Sequence, residues 1–569
     1  MLFCIGCMLS LPLLAQTDTT IQREVVVERE FQPIIQSAGK LNTPLQQVET
    51  TVEPVKLSFS EYSQPLQTSH NVKPLSASQI RFTKARERNG HLTVGGGYPL
   101  SYLDFEYKMN HKSGIQLSLY GTHDAQWGIK TLSDSKLGLN LTGTLPSVKI
   151  TFRADGSNLF YTRYGRYFDG NKGLVIDRFG DMKASDKQNL WLLNTSLGVQ
   201  SKFNSAVDFS ASLGYSAFIM PNQVVENMVN TALWFGWKNE EHTVAANFKM
   251  MNSILNVKPS MGIHDSLYND RHHLHIEPYY EYKADNWYVH AGVNLDVNIG
   301  KGRLMSANED ISFAPSPNVK MEYRIIPSWL VVYGSATGMF GDVSLATGVY
   351  RNIYLDARPG ITSHHVAAYK PVDAAVGFKI KPADGLLLDI YGSFARLNNQ
   401  VTFCAPTLND LKTNPETHLW YFYAHYRRWK AGAELTYHYQ DIIHILLSGN
   451  YYHWTMVDLD QPDYLPPVAK KVYDRPSWDA HLRVDANIDS KWSLYSDNHF
   501  SGSFNALLFD GSVERLRPTI DLNIGVQYNI NRWLYCYAQL NNYLHRFNDI
   551  YYGYQSQSIN GEIGLSWQF

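Results

Sequence analysis

From residue 90 to its end, this 569-residue chain alternates apolar and polar side chains with a period of two. In residues 103–109 the odd positions Leu103, Phe105, Tyr107 and Met109 are apolar, while the even positions Asp104, Glu106 and Lys108 are all charged. Residues 287–298 set Trp287, Val289, Ala291, Val293, Leu295 and Val297 against Tyr288, His290, Gly292, Asn294, Asp296 and Asn298. Segments 478–489 and 520–530 repeat the pattern. Successive side chains of a strand point to opposite faces, so each run folds as a strand with one apolar and one polar face.

The runs are about 10 residues long, the length a tilted strand needs to cross a bilayer. Their connections alternate in length. Short ones fall at 110–114, 145–147, 202–205, 238–241, 283–286, 326–328, 381–385, 440–441, 490–491 and 531–532. Long ones fall at 158–187, 252–269, 298–316, 341–370, 398–416, 454–476, 501–517 and 544–558. Short turns at one end and long loops at the other are the layout of an all-β, transmembrane, antiparallel up-and-down barrel. The count comes to about 22 strands, within 18 to 26, with short turns on the periplasmic side and long loops outside. The first strand is expected at 92–98 and the last at 559–569, with a tight turn at Pro99-Leu100 and one long strand at 418–439. A propeller would carry a blade repeat of about 40 residues, and the sequence has none.

Composition agrees. The chain is 18% charged and 13% aromatic, with 44% hydrophobic residues overall. That excludes wholesale disorder. No apolar run past the N-terminus reaches the ~18 residues of a membrane helix. Fifty basic residues against 52 acidic ones leave a net charge of −2, which argues against a nucleic-acid partner.

The N-terminal part differs in style. Residues 2–14 are apolar and precede Ala15-Gln16-Thr17-Asp18, which reads as a secretory signal peptide over 1–15, implying Sec-type export. A lipoprotein reading would instead anchor on Cys7. Residues 16–89 form an extended arm in which Pro33, Pro44, Pro54, Pro65 and Pro74 prevent a continuous helix or central strand. Within it, Val25, Val26 and Val27, between Glu24 and Glu28, read as a β-type run able to pair with a sheet edge on a periplasmic or outer-membrane partner. The barrel occupies 90–569. Once the signal is removed only Cys404 and Cys536 remain, too few for a disulfide framework.

Two aromatic features belong to the barrel. Trp287, Trp329, Trp492 and Trp533 each follow a short turn at matching offsets, as expected of a girdle at the periplasmic membrane interface, where the ring is apolar and its N–H stays wet. At the C-terminus Ile563, Leu565, Trp567 and Phe569 share one face, and the chain stops on Phe569. The last hairpin reads Trp533-Leu534-Tyr535, Gln539-Leu540-Asn541-Asn542-Tyr543 and Asp549-Ile550-Tyr551-Tyr552-Gly553-Tyr554. With the final nine residues from Gly561, it resembles the end of TonB-dependent receptor barrels. The arm resembles Bacteroidota outer-membrane proteins described as TonB-dependent-receptor-like. The resemblance implies a Gram-negative outer-membrane barrel that takes up a solute, and a C-terminal strand read by the barrel-assembly machinery. Such receptors carry a folded plug before the barrel, and the proline-broken arm has no plug-like pattern.

A barrel of this size encloses a lumen too wide for its own side chains to fill. The inward faces carry both signs, at Asp104, Glu106, Lys108, Asp296, Asp479, His481, Arg483 and Asp485. The arm, the long loops or a partner must therefore occupy it. Two functions are open: solute uptake with loops 158–187, 341–370 and 454–476 as outer gate, or a plugless barrel that scaffolds an outer-membrane complex. Catalysis is not expected, since Asp155-Gly156-Ser157 and Asp510-Gly511-Ser512 read as turns and no phosphate loop or catalytic carboxylate pair emerges. No cofactor is expected. The metal candidates are His273 and His275, on one strand face near His264 and Asp265. Tyr161, Tyr164, Tyr167 and Phe168 either stack on a ligand or pack the loop on itself.

Overall fold

A computed structural model describes residues 89–569, apart from segments 112–113, 128–130, 163–167, 170–172, 175–186, 202–205, 222–223, 258–269, 301–310, 342–343, 354–367, 408–418, 441, 461–467 and 469. The expected signal peptide and nearly all of the expected arm, with Val25, Val26 and Val27, lie outside the described residues. The principal sheet has 24 strands. Two of them, Asn505–Leu508 and Val513–Arg515, form a hairpin within a long loop, which leaves 22 in a closed antiparallel wall. The first strand, Gly90–Tyr98, pairs with its neighbour Leu100–Asn110 and with the last strand, Asn560–Gln568. That seam runs in register from His91 opposite Gln568 to Tyr98 opposite Gly561. Gly90 and Phe569 close it with two reciprocal backbone hydrogen bonds of 2.9 and 3.0 Å. Closure matters because a sheet edge would leave backbone polar groups without partners in lipid.

The alternation predicted from sequence sets the two faces. Ile563 is 69% exposed and its neighbour Glu562 only 7%. The same inversion recurs around the wall: Leu137, Phe235, Val376 and Trp429 are exposed, while Asp104, Asp208, His290 and Asp497 are buried. Apolar side chains outside and charged ones inside is the arrangement of a wall that meets lipid. No helix among the described residues is long and apolar enough to cross a membrane.

The strands run longer than the expected ~10 residues of a bilayer crossing. Leu386–Ala405 and Trp420–Tyr439 each have 20 residues. The excess lies at the long-loop end: Val148–Thr162, His242–Val257 and Ile443–Asp460 continue into segments expected to be loops. Past the bilayer a strand still gains from pairing with its neighbour, but one of its faces need no longer be apolar, so the alternation fades before the pairing does. Asp155-Gly156-Ser157 is corrected for the same reason. It lies within Val148–Thr162 and is paired on both sides, to Leu137 and Leu193 through Gly156. Asp510-Gly511-Ser512 is a turn as expected, with Gly511 at a φ of 79° and the Ser512 N–H donating to Asp510 Oδ1 at 2.9 Å.

A repeated device stiffens the lumen face. Tyr120 lies across from Gly138 and points at Asp155 on the strand beyond. Tyr333 crosses Gly377 and donates to Asp389 at 2.8 Å. Tyr391 crosses Gly432 and donates to Asn450 at 2.6 Å. Tyr495 crosses Gly525 and donates to Gln539 at 3.0 Å. At each of these glycines a Cβ would overlap the ring. Each tyrosine therefore ties three strands together, and the glycine makes room for it.

Candidate functional site: the lumen and its capped mouth

The polar faces of the strands converge on a lumen whose charges are largely paired. Asp155 is one hub. Its carboxylate accepts from Arg153 Nε at 3.0 Å and Asn194 Nδ2 at 2.9 Å, with Lys136 Nζ at 3.6 Å. Asp296 is another. Its Oδ1 lies 3.0 Å from His273 Nε2 and 2.8 Å from His275 Nδ1, and its Oδ2 is buried with no hydrogen-bond partner. These two hubs line one cavity of about 630 Å³ with Lys249 and Phe340. Down the wall, Glu277 accepts from Asn247 at 2.8 Å and from Asn318 and faces His290 at 3.5 Å, and His290 stacks on Tyr279. Both signs are present along the lumen, as the sequence requires, and the carboxylates of these hubs are held by neighbours of the opposite sign or by amides.

The structure brings His273 and His275 together, as their spacing predicts, but around a shared carboxylate. His264 and Asp265 lie outside the described residues. A second group of the same chemistry was not apparent from local spacing. His481, Asp497 and His499 come from two neighbouring strands, and their ligand-type atoms all lie within 4.8 Å of one another. The signal for it was register: His481 sits opposite His499, and His499 opposite Asp521.

The long-loop end is closed by the protein's own apolar residues. One cluster joins Leu132, Leu159, Tyr161, Leu190, Phe218 and Met220 from one arc of the wall to Ala405 and Leu419 from another, through Leu345, Val349, Leu508 and Tyr551 of the loops. Tyr161 is fully buried there, so this member of the aromatic set packs inward rather than offering a stacking surface. The loop after Leu330–Phe340 contributes a helix, Leu345–Arg351. Its first turn is held by Ser344 Oγ, which accepts from the Thr347 N–H at 3.2 Å, and by buried Glu226. Glu226 accepts from the N–H groups of Leu345 and Ala346 at 3.0 and 2.8 Å and from Ser253 Oγ at 2.6 Å. Carboxylates suit this position because the first N–H groups of a helix have no partner within it.

The hairpin Asn505–Leu508 and Val513–Arg515 reaches over to pair in parallel with the end of Leu386–Ala405, through Cys404 and Leu507. Beneath it Asp474 accepts from the Phe403 N–H at 2.7 Å, and Arg475 lies 4.1 Å over the Tyr426 ring. Burial in this loop packing pushes the Asp474 carboxyl up to about 7.

At the opposite end Trp287, Trp329, Trp492 and Trp533 all stand half-exposed beside short turns. Trp287 stacks on Tyr323 at 4.2 Å, and the Arg532 guanidinium lies 5.0 Å over Trp533. Trp237 and Trp567 share that end and that exposure. They close strands rather than open them, so a search for Trp after a turn passes over them. Ile563, Leu565 and Trp567 face outward on the last strand, and Phe569 stacks on Tyr107 at 6.1 Å.

No family model and no curated protein matches the sequence. Solved structures do match the fold. The ferric-catecholate import receptor Fiu of E. coli K12, in its closed form, aligns at a TM-score of 0.61 and 10% identity over 85% of this chain and 82% of that one. The copper transporter OprC aligns at 0.61 and 11% identity, over 84% and 82%. The pyoverdine outer membrane receptor FpvA from Pseudomonas aeruginosa PAO1 aligns at 0.59 and 12% identity, over 86% and 80%. The chain shares the barrel fold of these receptors.

Proposed function

We propose that the chain is a TonB-dependent-receptor-like barrel of a Gram-negative, Bacteroidota-type outer membrane, and that it takes up a solute through its lumen. The observation that carries this reading is a cavity lined by charged and polar side chains beneath a mouth that, among the described residues, loops close by packing on the strand ends. A loop cap can open without unfolding the wall, since loop packing is among the least stable parts of a fold. The shared fold of the import receptors supports the same reading. On this reading the six tryptophans at the short-turn end lie at the periplasmic membrane interface. The C-terminal strand is the segment recognised by the barrel-assembly machinery, and Val25, Val26 and Val27 pair with a periplasmic partner.

The test is conductance in a planar bilayer. The full chain should be nearly silent, and a variant lacking residues 344–353 should pass ions. If removing the cap segment leaves a folded but non-conducting barrel, the lumen is not a route and the uptake reading fails.

A second reading, a barrel that scaffolds an outer-membrane complex, is favoured by how much apolar surface the cap buries. Phe218, Tyr161, Leu345 and Leu508 form a core rather than a binding mouth. Gentle extraction from native membranes separates the two. A stoichiometric assembly that co-purifies in fixed ratio supports the scaffold, and a lone barrel supports uptake.

A further inference from the structure

We propose that His481, His499 and Asp497, with Asp521 beside them, form a binding site for one divalent transition-metal ion, Zn²⁺ by donor type, on the lumen wall. The inference needs only the fold, not the uptake reading.

Three neighbouring strands, Trp478–Asn487, Trp492–Ser501 and Thr519–Asn529, present these side chains inward. Their register sets His481, His499 and Asp521 in one row and Asp497 in the next row. The imidazoles lie parallel, 4° apart in tilt and 4.2 Å between centroids. Both present Nε2 to the same oxygen, Asp497 Oδ1, at 2.5 Å from His481 and 3.4 Å from His499. Two imidazole nitrogens and a carboxylate oxygen are the donors Zn²⁺ takes, at about 2.0–2.2 Å each. All three atoms lie inside a 4.8 Å span, and an ion among them is reached once the stacked rings turn their in-plane lone pairs toward it.

A second observation points to the same place. Asp521 is 1% exposed, and its Oδ1 is buried with no hydrogen-bond partner. Its Oδ2 accepts from Asn523 Nδ2 at 3.0 Å, and the same amide donates to the Asp497 carbonyl at 3.0 Å. Asn523 thus links the Asp521 carboxylate to the backbone of Asp497, in the row next to the two histidines. A buried carboxylate oxygen without a donor is costly, and a cation offsets that cost.

The local charge balance suits a dication. Asp485 and Asp497 share one guanidinium, Arg483, which is bound in two-pronged fashion to Asp485 at 2.8 and 2.9 Å, and Asp521 adds a third carboxylate opposite His499. Arg483 approaches Asp497 at 3.9 Å on Oδ2, the oxygen other than the one the histidines face. The donor set of two nitrogens and a carboxylate oxygen favours Zn²⁺, Ni²⁺ or Cu²⁺ over Ca²⁺ or Mg²⁺, which prefer oxygen alone.

The experiment uses the full chain in detergent, carrying an affinity tag without histidine and stripped of metal. Co²⁺ is titrated as the spectroscopic probe and then displaced with Zn²⁺. One equivalent should bind with visible ligand-field bands and be displaced by Zn²⁺. His481→Ala and His499→Ala should each weaken binding about 100-fold, and Asp521→Asn about tenfold. His273→Ala, at the other histidine pair, should bind as the parent does. The proposal is overturned if no equivalent binds at micromolar metal. It is overturned equally if binding survives in the His481→Ala/His499→Ala double variant, or if His273→Ala abolishes it too. Heat-modifiable gel migration checks that each variant is folded. Should an alanine variant fail that check, His481→Asn and His499→Gln replace it, since they keep a polar group toward Asp497 while removing the imidazole donor.

Discussion

Glu226 shows how much of the cap rests on one side chain. It is fully buried near the long-loop end of Val224–Asn239, and it accepts from two backbone N–H groups of a helix more than a hundred positions away. In sequence it is one acid in Val225-Glu226-Asn227, and nothing local separates it from the lumen acids. Asp104, by contrast, was legible, because its strand alternates without interruption. Replacing Glu226 with Ala would leave the Leu345 and Ala346 N–H groups buried without acceptors, at about 1–3 kcal/mol each. The wall loses no strand pairing, so the penalty should appear as release of the helix. Amide hydrogen exchange across residues 345–351 should then rise at least tenfold in Glu226→Ala. In Glu226→Gln, which keeps one acceptor oxygen, it should rise less. Unchanged exchange in the alanine variant would mean that the apolar cluster alone holds the helix.

At the scale of the element, the sequence specified which residues face in and which face out, but not where strands stop. Facing is imposed by lipid and is written in every second residue. Strand ends beyond the membrane depend on pairing with a neighbour whose position the sequence does not state, hence the unexpected reach of Leu386–Ala405. The tyrosine–glycine device is a second case. Tyr333, Gly377 and Asp389 are far apart in the chain and become a unit only through register. Gly377→Ala should therefore be costly, by about 1–3 kcal/mol, because the new methyl displaces the Tyr333 ring and breaks its bond to Asp389. Gly392→Ala is the internal control, since a Cβ there meets only the Lys430 carbonyl at an ordinary 3.8 Å. The midpoint of urea-driven loss of the heat-modifiable band should fall for Gly377→Ala and hold for Gly392→Ala. Equal midpoints would show that the ring swings aside freely.

On the scale of the whole molecule, strand count and closure were readable, and loops at the mouth were among the expectations, while the residues that pack the cap were not. The count follows from the rhythm of turns along the chain. The cap is assembled from residues as distant as Leu132 and Tyr554, and its apolar members look like any other strand or loop residue until the mouth brings them together. Closure itself makes a covalent prediction. Thr93 and Ser566 are register partners on the first and last strands, and their hydroxyl oxygens lie 2.7 Å apart inside the lumen. Cysteines there would sit at the separation a disulfide accepts, with Cβ atoms about 4 Å apart. In a Cys404→Ser/Cys536→Ser background, the Thr93→Cys/Ser566→Cys pair should oxidise readily in the folded barrel. The bond would turn residues 93–566 into a covalent loop. After boiling without reductant, that loop should migrate faster than the same protein boiled with reductant, because a looped chain is more compact than an open one. Failure to oxidise in the folded state, with either cysteine still reactive to a small maleimide, would mean that the first and last strands are not neighbours. The wall would then be an open sheet with two unpaired edges, which lipid does not tolerate.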